Sequence, residues 1–336
     1  MLNFRQQLAI DLGTTNIRMS IPKKGVMINE PAVVAINKST NKIMAIGEEA
    51  RDMLGKTPID VEAAQPLKNG VIANYHITEA IIKYYLNKTL NNIRIFGPEI
   101  MSSVPAGITS TERRAVIDAI KASGTNNVYI IKAPLAAALG AGIAIAEPHG
   151  NMILDIGGGT SEIAVISLGN IVSQHSIRVA GESMDNAIID YIRKKYGLAI
   201  GQKTAERIKI EIGSIVPSVD NQYLEISGSN TITELPEIIT VSNQDTVEAL
   251  KNPIKEIINA VKLVLQHTPP ELSADVIDRG IILTGKGSML RGLDELLSKV
   301  TGVPVHVAEE PEFCVIRGCN IALENLESYK RSAIRA

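Results

Sequence analysis

Asp11-Leu12-Gly13-Thr14-Thr15 and Asp155-Ile156-Gly157-Gly158-Gly159-Thr160 are two copies of one short pattern, 144 positions apart. Each copy stands between two apolar, strand-like runs, which predicts a tight β-hairpin with a carboxylate at the end of the incoming strand. Glycine lets the backbone turn sharply and approach a ligand closely, and successive backbone N–H groups in such a turn hold anions. An aspartate beside phosphate suits a hydrated Mg²⁺. Two such turns facing each other are expected to hold the phosphates of a nucleotide from both sides.

Two ordinary hairpin turns are the alternative interpretation, because Asp, Gly and Thr are common turn residues. A single copy favours that interpretation, whereas two copies with matching flanks argue against chance. Neither copy has the lysine of a GxxxxGK[ST] loop, which excludes a P-loop protein.

The bulk composition is that of a globular protein with two domains of ordinary size. The chain has 336 residues, 45% of them hydrophobic, and no tryptophan. With 34 basic and 36 acidic residues the net charge is −2, which gives no indication of nucleic-acid binding. The core is therefore expected to be aliphatic.

Cysteine content and hydropathy favour a soluble cytoplasmic protein. Cys314 and Cys319 are the only cysteines and have no nearby histidine pair, so a zinc site is excluded and buried free thiols are expected. The N-terminus lacks the pattern of a signal peptide. The charge-free, Ala- and Gly-rich run at residues 133–146 is too short to span a bilayer.

The second half of the chain, from about Gly150, repeats the scheme of the first, with a hairpin followed by helices. Thr109-Ser110-Thr111-Glu112 fits a helix capping box. Ile281-Ile282-Leu283 reads as a strand that runs into the turn Thr284-Gly285-Lys286-Gly287. The pattern predicts two α/β lobes in close contact with a cleft between them, where ligand sites commonly lie.

Taken together, the two hairpins and the late glycine turn resemble the phosphate and adenosine motifs of the actin superfamily, which includes sugar kinases and DnaK-type chaperones. The match is closer to the MreB family of bacterial actins, and it covers essentially the whole chain. Runs that resemble MreB segments, in family order, include 53–58, 66–73, 105–109, 191–196, 268–272 and 278–281.

The resemblance implies an actin-like α/β fold of two duplicated lobes, divided into four subdomains around a nucleotide cleft. The implied subdomains are IA (1–32, 74–149 and 314–336), IB (33–73), IIA (150–181 and 246–313) and IIB (182–245).

The resemblance also implies ATP and Mg²⁺ as cofactors and assigns the residues that would bind them. Asp11 and Asp155 would orient the metal through waters. The implied nucleotide-binding residues are Gly13, Thr14, Thr15, Asn16, Gly157, Gly158, Gly159, Thr160, Gly181, Glu182, Glu206, Lys209, Gly285, Lys286 and Gly287. For Glu206 and Lys209, three positions apart on one helix face, the alternative is an ion pair between them at the surface.

Three departures from the family pattern bear on chemistry. Lys132-Ala133-Pro134 stands where MreB proteins usually have Glu-Glu-Pro, and the glutamate before the proline is thought to position the attacking water. Alanine cannot accept a hydrogen bond from water with its side chain, so with Thr160 retained we expect ATP to bind but to be hydrolysed slowly or not at all. Lys132 either reaches a γ-phosphate or points to solvent.

The other two departures are smaller. Lys286 replaces the middle glycine of a usual triple, so that either its stem lies over the base or the loop shifts. Ser161 stands where MreB proteins often have threonine, a mild change.

The resemblance implies self-association into filaments, with paralogous filaments as partners if hydrolysis is impaired. Peripheral contact with the inner membrane is expected through the apolar pair Ile95-Phe96 or the basic C-terminus with Lys330, Arg331 and Arg335. The alternatives are inward packing of the pair and a solvated helix end.

The first functional hypothesis is a nucleotide-binding cytoskeletal protein that supports cell shape. The alternative is a soluble ATP-dependent enzyme of the same superfold, such as a sugar kinase. A chaperone ATPase lobe is a third hypothesis, for which the expected substrate-binding domain is missing.

Overall fold

The structure is a computed structural model and is described for residues 6–40, 42–90, 97–125, 127–217, 222–329 and 333–335. The strands are β1 (Gln7–Leu12), β2 (Asn16–Ile21), β3 (Gly25–Pro31), β4 (Val34–Asn37), β5 (Lys42–Ile46), β6 (Val61–Ala64), β7 (Leu67–Lys68), β8 (Val71–Ile72), β9 (Glu99–Val104), β10 (Asn127–Lys132), β11 (Asn151–Ile156), β12 (Ser161–Ser167), β13 (Asn170–Ile177), β14 (Leu198–Ala199), β15 (Tyr223–Asn230), β16 (Pro236–Ser242), β17 (Ile281–Thr284), β18 (Val305–Val307) and β19 (Ala333–Arg335).

The helices are α1 (Glu48–Met53), α2 (Tyr75–Thr89), α3 (Ser110–Ala122), α4 (Ala133–Gly140), α5 (Gly181–Tyr196), α6 (Gln202–Ile212), α7 (Asn243–Gln266), α8 (Pro270–Arg279), α9 (Leu293–Thr301) and α10 (Cys314–Glu324). Short 3₁₀ turns cover Lys286–Met289 and Pro311–Phe313. The capping box predicted at Thr109 is confirmed at the start of α3, where Thr109 and Glu112 exchange hydrogen bonds.

Two large sheets repeat one strand order, which confirms the predicted duplication. The first runs β3-β2-β1-β9-β10-β19 and the second runs β13-β12-β11-β17-β18. In each, three antiparallel strands are followed by two that join in parallel. We call the half of the molecule built on the first sheet the first lobe and the half built on the second sheet the second lobe.

Strand alternation decides which side chains face the other lobe. In β1, Leu8, Ile10 and Leu12 pack into the core of the first lobe, whereas Ala9 packs into a core shared by both sheets. Side chains two apart point to the same face, so Asp11 follows Ala9 toward the interlobe side. Asp155 follows Ile153 to that side in the same way, because Met152, Leu154 and Ile156 fill the core of the second lobe.

Helices α4 and α10 fill the space between the sheets at the base of the cleft. A Cβ on Gly318 would lie 1.7 Å from the Ala136 carbonyl oxygen, and one on Gly140 would lie 1.8 Å from that of Cys314. The helix backbones therefore cross at glycines, where they approach more closely than any side chain allows. This close approach explains why α4 is rich in small residues. Residues 134–139 of this helix are all buried.

Smaller sheets extend each lobe above the cleft. One is β5-β4-β6 in the first lobe and the other is β14-β15-β16 in the second. The ammonium of Lys203, at the start of α6, lies 2.8 Å from the carboxylate of Asp52 in α1. This ion pair joins the two extensions.

Candidate functional site

The two glycine turns face each other, as the sequence predicts. A Cβ added to Gly158 would lie 2.4 Å from the Thr15 side chain, and one added to Gly159 would lie 2.5 Å from the Thr14 hydroxyl oxygen. Such distances are shorter than real carbon contacts, so the threonine side chains of one turn occupy the space that glycine leaves on the other. Only glycine permits this approach.

A third segment joins the turns. The backbone N–H of Gly70 donates to the Thr14 hydroxyl at 2.9 Å. The side chain of Thr160 lies on the other side of the same glycine, 3.1 Å from where its Cβ would be. The loop after β7 therefore contacts both turns, one from each lobe.

The paired aspartates lie on the floor of the cleft with different partners. Asp11 accepts a hydrogen bond from Ser103 at 2.9 Å and is ion-paired to Arg18 at 3.2 Å. Asp155 accepts a hydrogen bond from Thr284 at 2.8 Å. Burial, reinforced by the charge of Asp11, raises the pKa of Asp155 to about 7, although the Thr284 hydrogen bond opposes the shift. This carboxylate lacks a full compensating charge, which a cation bound nearby would supply.

Glu162 is a further acidic group on the floor, and the sequence pattern did not identify it. It is 2% exposed, and its oxygens accept from the Ala106 N–H at 3.0 Å and from the Ser176 hydroxyl at 2.7 Å. Burial raises the pKa of Glu162, while these hydrogen bonds oppose the rise. Since Ala106 belongs to the first lobe and Glu162 to the second, this contact ties the lobes together.

Carboxylates and one lysine from α5 and α6 line the second-lobe wall. Lys209 lies 2.7 Å from Asp185 and donates to the Gly181 carbonyl oxygen at 3.0 Å. Among the described residues the ion pair of Lys209 is therefore with Asp185, and not the surface pair with Glu206 that the alternative interpretation expected. Burial raises the pKa of Asp185 to about 6 and also raises that of Glu182.

The late glycine turn packs against the end of β11. Gly285 has φ +79°, and a Cβ there would lie 2.3 Å from the Ile156 carbonyl oxygen, so this position requires glycine. Lys286 begins the 3₁₀ turn with its side chain exposed at the cleft. The middle glycine of the usual triple is thus replaced at a position where a side chain has room.

One cleft of about 280 Å³ collects nearly all the residues singled out from the sequence. Both aspartates and every implied nucleotide-binding residue line it, from Gly13 to Gly287, together with Ala133. Lys132 is the exception. Its ammonium donates to the Gln174 side chain at 3.3 Å, at an exposed position outside the lining of this cleft.

Two independent features of the cleft suit a nucleotide bound together with a divalent cation. A buried oxygen of Glu182, Oε1, has no hydrogen-bond partner among the described residues, and a sugar hydroxyl would satisfy it. Asp11 and Asp155 supply the hard oxygen donors that Mg²⁺ prefers. In the described part of the chain no three acidic, histidine or cysteine side chains form a metal cage. Mg²⁺ is commonly held by one or two carboxylates together with phosphates and water.

Arg18, Glu162 and Asp185 are among the cleft residues that sequence reasoning missed. Arg18 and Glu162 stand seven positions after the two motif aspartates, a signal visible once the hairpins are aligned. Asp185 stands three positions after Glu182 on the same helix, which places both on one face.

Comparison with known proteins decides the family. The family model described as MreB/Mbl protein matches residues 5–331. The cell shape-determining protein Mbl of Bacillus cereus is 47% identical over 332 residues, covering 99% of this chain and 100% of that protein. MreB of Escherichia coli is 42% identical over 331 residues, covering 97% of this chain and 95% of that protein. The chain belongs to the MreB/Mbl family.

Solved structures agree with this assignment. MreB5 of Spiroplasma citri, in a crystal structure bound to AMPPNP, superposes with a TM-score of 0.93 at 36% identity, over 98% of this chain and 99% of that one. A MamK double helical filament superposes with a TM-score of 0.79 at 19% identity, over 96% and 99% of the two chains, which supports the fold alone. The predicted actin-like fold and the resemblance to MreB are confirmed, and nothing supports the alternative of a sugar-kinase-like enzyme.

Gly159→Ala tests the contact between the turns in this MreB/Mbl protein. The added methyl must displace Thr14, so we expect the free energy of unfolding without nucleotide to fall by about 1–3 kcal/mol. Gly157→Ala is the matched control, because its Cβ would lie an ordinary 3.4 Å from the Thr160 carbonyl oxygen. Urea denaturation of both variants checks this, and equal stabilities would show that the turns are not in tight contact.

Proposed function

We propose that this chain is a cytoskeletal protein that binds ATP with Mg²⁺ in the interlobe cleft and polymerises into filaments supporting cell shape. The observation that carries the proposal is the contact of two glycine turns, one from each lobe, above the paired aspartates. Family membership supports it, as do the named roles of Mbl and MreB as cell shape-determining proteins and the structures of MreB5 with AMPPNP and ADP.

Each part of the cleft has a proposed role. The first turn, 13–16, and the second, 157–160, donate backbone and hydroxyl hydrogens to the phosphates. Asp11 and Asp155 hold the waters of the metal ion. Glu182, Glu206 and Lys209 face the sugar and base, with Gly181 beside them. The turn 285–287 lies against the adenosine. The division into four subdomains at the boundaries given above is part of the same proposal.

Nucleotide occupancy controls assembly in this proposal, because a triphosphate bridging both turns fixes the angle between the lobes. Longitudinal contacts between protomers require one fixed angle, so only the closed form repeats along a filament. No helix in the described part of the chain is long and apolar enough to cross a membrane.

Electron microscopy of the purified full chain tests polymerisation. With ATP and Mg²⁺ we expect paired straight or sheet-like protofilaments, and with neither we expect monomers. Gly159→Ala is expected to need more nucleotide for the same polymer, because its turns are forced apart. Persistent monomers under all nucleotide conditions would contradict the proposal.

Slow or absent hydrolysis follows from the groups around Ala133. Its methyl lines the cleft where the family's glutamate is expected, and Lys132 is engaged with Gln174. The other acidic group nearby, Glu162, already uses its oxygens to accept from Ala106 and Ser176. We therefore propose that this chain holds ATP with no side chain, among the residues that the structure describes, placed to orient the attacking water.

Ala133→Glu is expected to restore turnover. A positioned general base typically adds about 10²–10⁴-fold to a rate, so phosphate release should rise by a factor approaching that range. Ala133→Gln is the control of equal length, which orients water but takes up no proton, and a smaller gain is expected. A phosphate-release assay compares the three proteins, and robust turnover by the wild type would refute the proposal.

Peripheral membrane contact and exchange with paralogous filaments remain part of the proposal. Ile95, Phe96, Lys330 and Arg331 lie outside the described residues. The neighbouring strand β19 pairs with β10, and Ala333 in it is buried. Removing the tail would therefore disturb the sheet, so substitutions are the better probe.

Liposome pelleting separates the two proposed anchors. Lys330→Glu with Arg331→Glu should reduce binding to anionic vesicles, because each basic residue near such a surface contributes about 1 kcal/mol. Ile95→Ser with Phe96→Ser should reduce binding to anionic and neutral vesicles alike. If the wild type stays in the supernatant with both kinds of vesicle, membrane contact by this chain is ruled out.

A further inference from the structure

The duplicated hairpins place opposite charges at equivalent positions of the two lobes. In the first hairpin Asp11 is directly opposite Arg18 across β1 and β2. In the second hairpin Asp155 is directly opposite Glu162 across β11 and β12. All four side chains face the interlobe side and line the cleft. The floor therefore carries three carboxylates and one guanidinium.

Two contacts fix the position of the Arg18 guanidinium in the cleft. Its Nη1 lies 3.2 Å from Asp11 Oδ2, and the two side chains are 12% and 13% exposed. Its guanidinium carbon lies 5.8 Å from the centre of the Phe313 ring, close enough for a cation–π contact. Its Nε is buried and has no hydrogen-bond partner among the described residues, so this donor remains for an acceptor that enters the cleft.

The charge of Arg18 reaches beyond its partner. Arg18 lines the same cleft as Asp155, Glu162 and both glycine turns. Unlike lysine, arginine stays protonated wherever it is buried, so this positive charge is permanent. A fixed cation here attracts a polyphosphate and repels a divalent metal ion at the same time, and the low polarity of a buried site strengthens both effects.

We propose that Arg18 is a positioning residue that supplies part of the positive charge a divalent cation brings to the nucleotide, and thereby weakens the dependence of nucleotide binding on Mg²⁺. The inference rests on the proposed function, since it concerns the same cleft. A purely structural role, in which Arg18 only packs against Phe313 and its charge has no effect on the ligand, would change the stability of the protein and leave the metal dependence of binding unchanged.

The test measures the dissociation constant of a fluorescent ATP analogue in excess Mg²⁺ and in EDTA. The readout is the dissociation constant in EDTA divided by the dissociation constant in Mg²⁺. A general loss of stability does not change this ratio. We expect Arg18→Met to raise this ratio by about tenfold or more, because the metal-free complex loses its remaining countercharge. Arg18→Lys keeps a positive charge and is expected to hold the ratio near that of the wild type.

Lys195→Met is the matched control. Lys195 is ion-paired to the buried carboxylate of Asp245 outside the cleft, so its loss costs stability without removing charge from the nucleotide site. Thermal unfolding without nucleotide identifies the folded variants. If Arg18→Met does not fold, Arg18→Gln replaces it, since glutamine is neutral and can still donate to Asp11.

The outcomes are distinct. A raised ratio for the neutral Arg18 variants, with Arg18→Lys and Lys195→Met unchanged, supports the proposal. Equal ratios in all variants and the wild type overturn it, and leave the proposed function intact. Failure of the wild type to bind the analogue even in Mg²⁺ would instead overturn the proposed function.

Discussion

The contact between two glycine turns is the constraint on which the rest of the site depends. Thr14 and Thr15 of one lobe fill the space that the missing side chains of Gly158 and Gly159 leave in the other. Because interiors are close-packed, an added methyl has no room and must move a lobe. The contact of Gly70 with Thr160 and the hydrogen bond from Ala106 to Glu162 hold the lobes in this position. The two turns are therefore brought together by direct packing between the lobes.

Close approach of the lobes has an electrostatic cost. It gathers Asp11, Asp155 and Glu162 on one floor, and the raised pKa values of Asp155 and Glu162 report that cost. Hydrogen bonds from Thr284 and Ser176 offset part of it, and the guanidinium of Arg18 offsets a smaller part at Asp155. Arg18 and Glu162 occupy equivalent positions of the two hairpins but carry opposite charges. At this position the positive charge of the first lobe favours a phosphate, and the negative charge of the second lobe does not.

The sequence predicted the features that depend on local pattern. The two turns, the capping box at Thr109 and the duplication all follow from residue type and spacing within a few positions. The roles of Arg18, Glu162 and Asp185 were missed because they depend on cross-strand register and on packing between helices. Lys132 was undecided in sequence because its partner, Gln174, lies on the other lobe. The replaced glycine at Lys286 was recognisable as a departure, but its exposure depends on how the turn packs against Ile156.

A crystal structure of the full chain with a non-hydrolysable ATP analogue and Mg²⁺ tests the central claim most directly. The account predicts density for the phosphates between residues 13–16 and 157–160, with the metal ion near Asp11 and Asp155. Density for the analogue elsewhere, or an interlobe cleft left empty at saturating concentration, would contradict it.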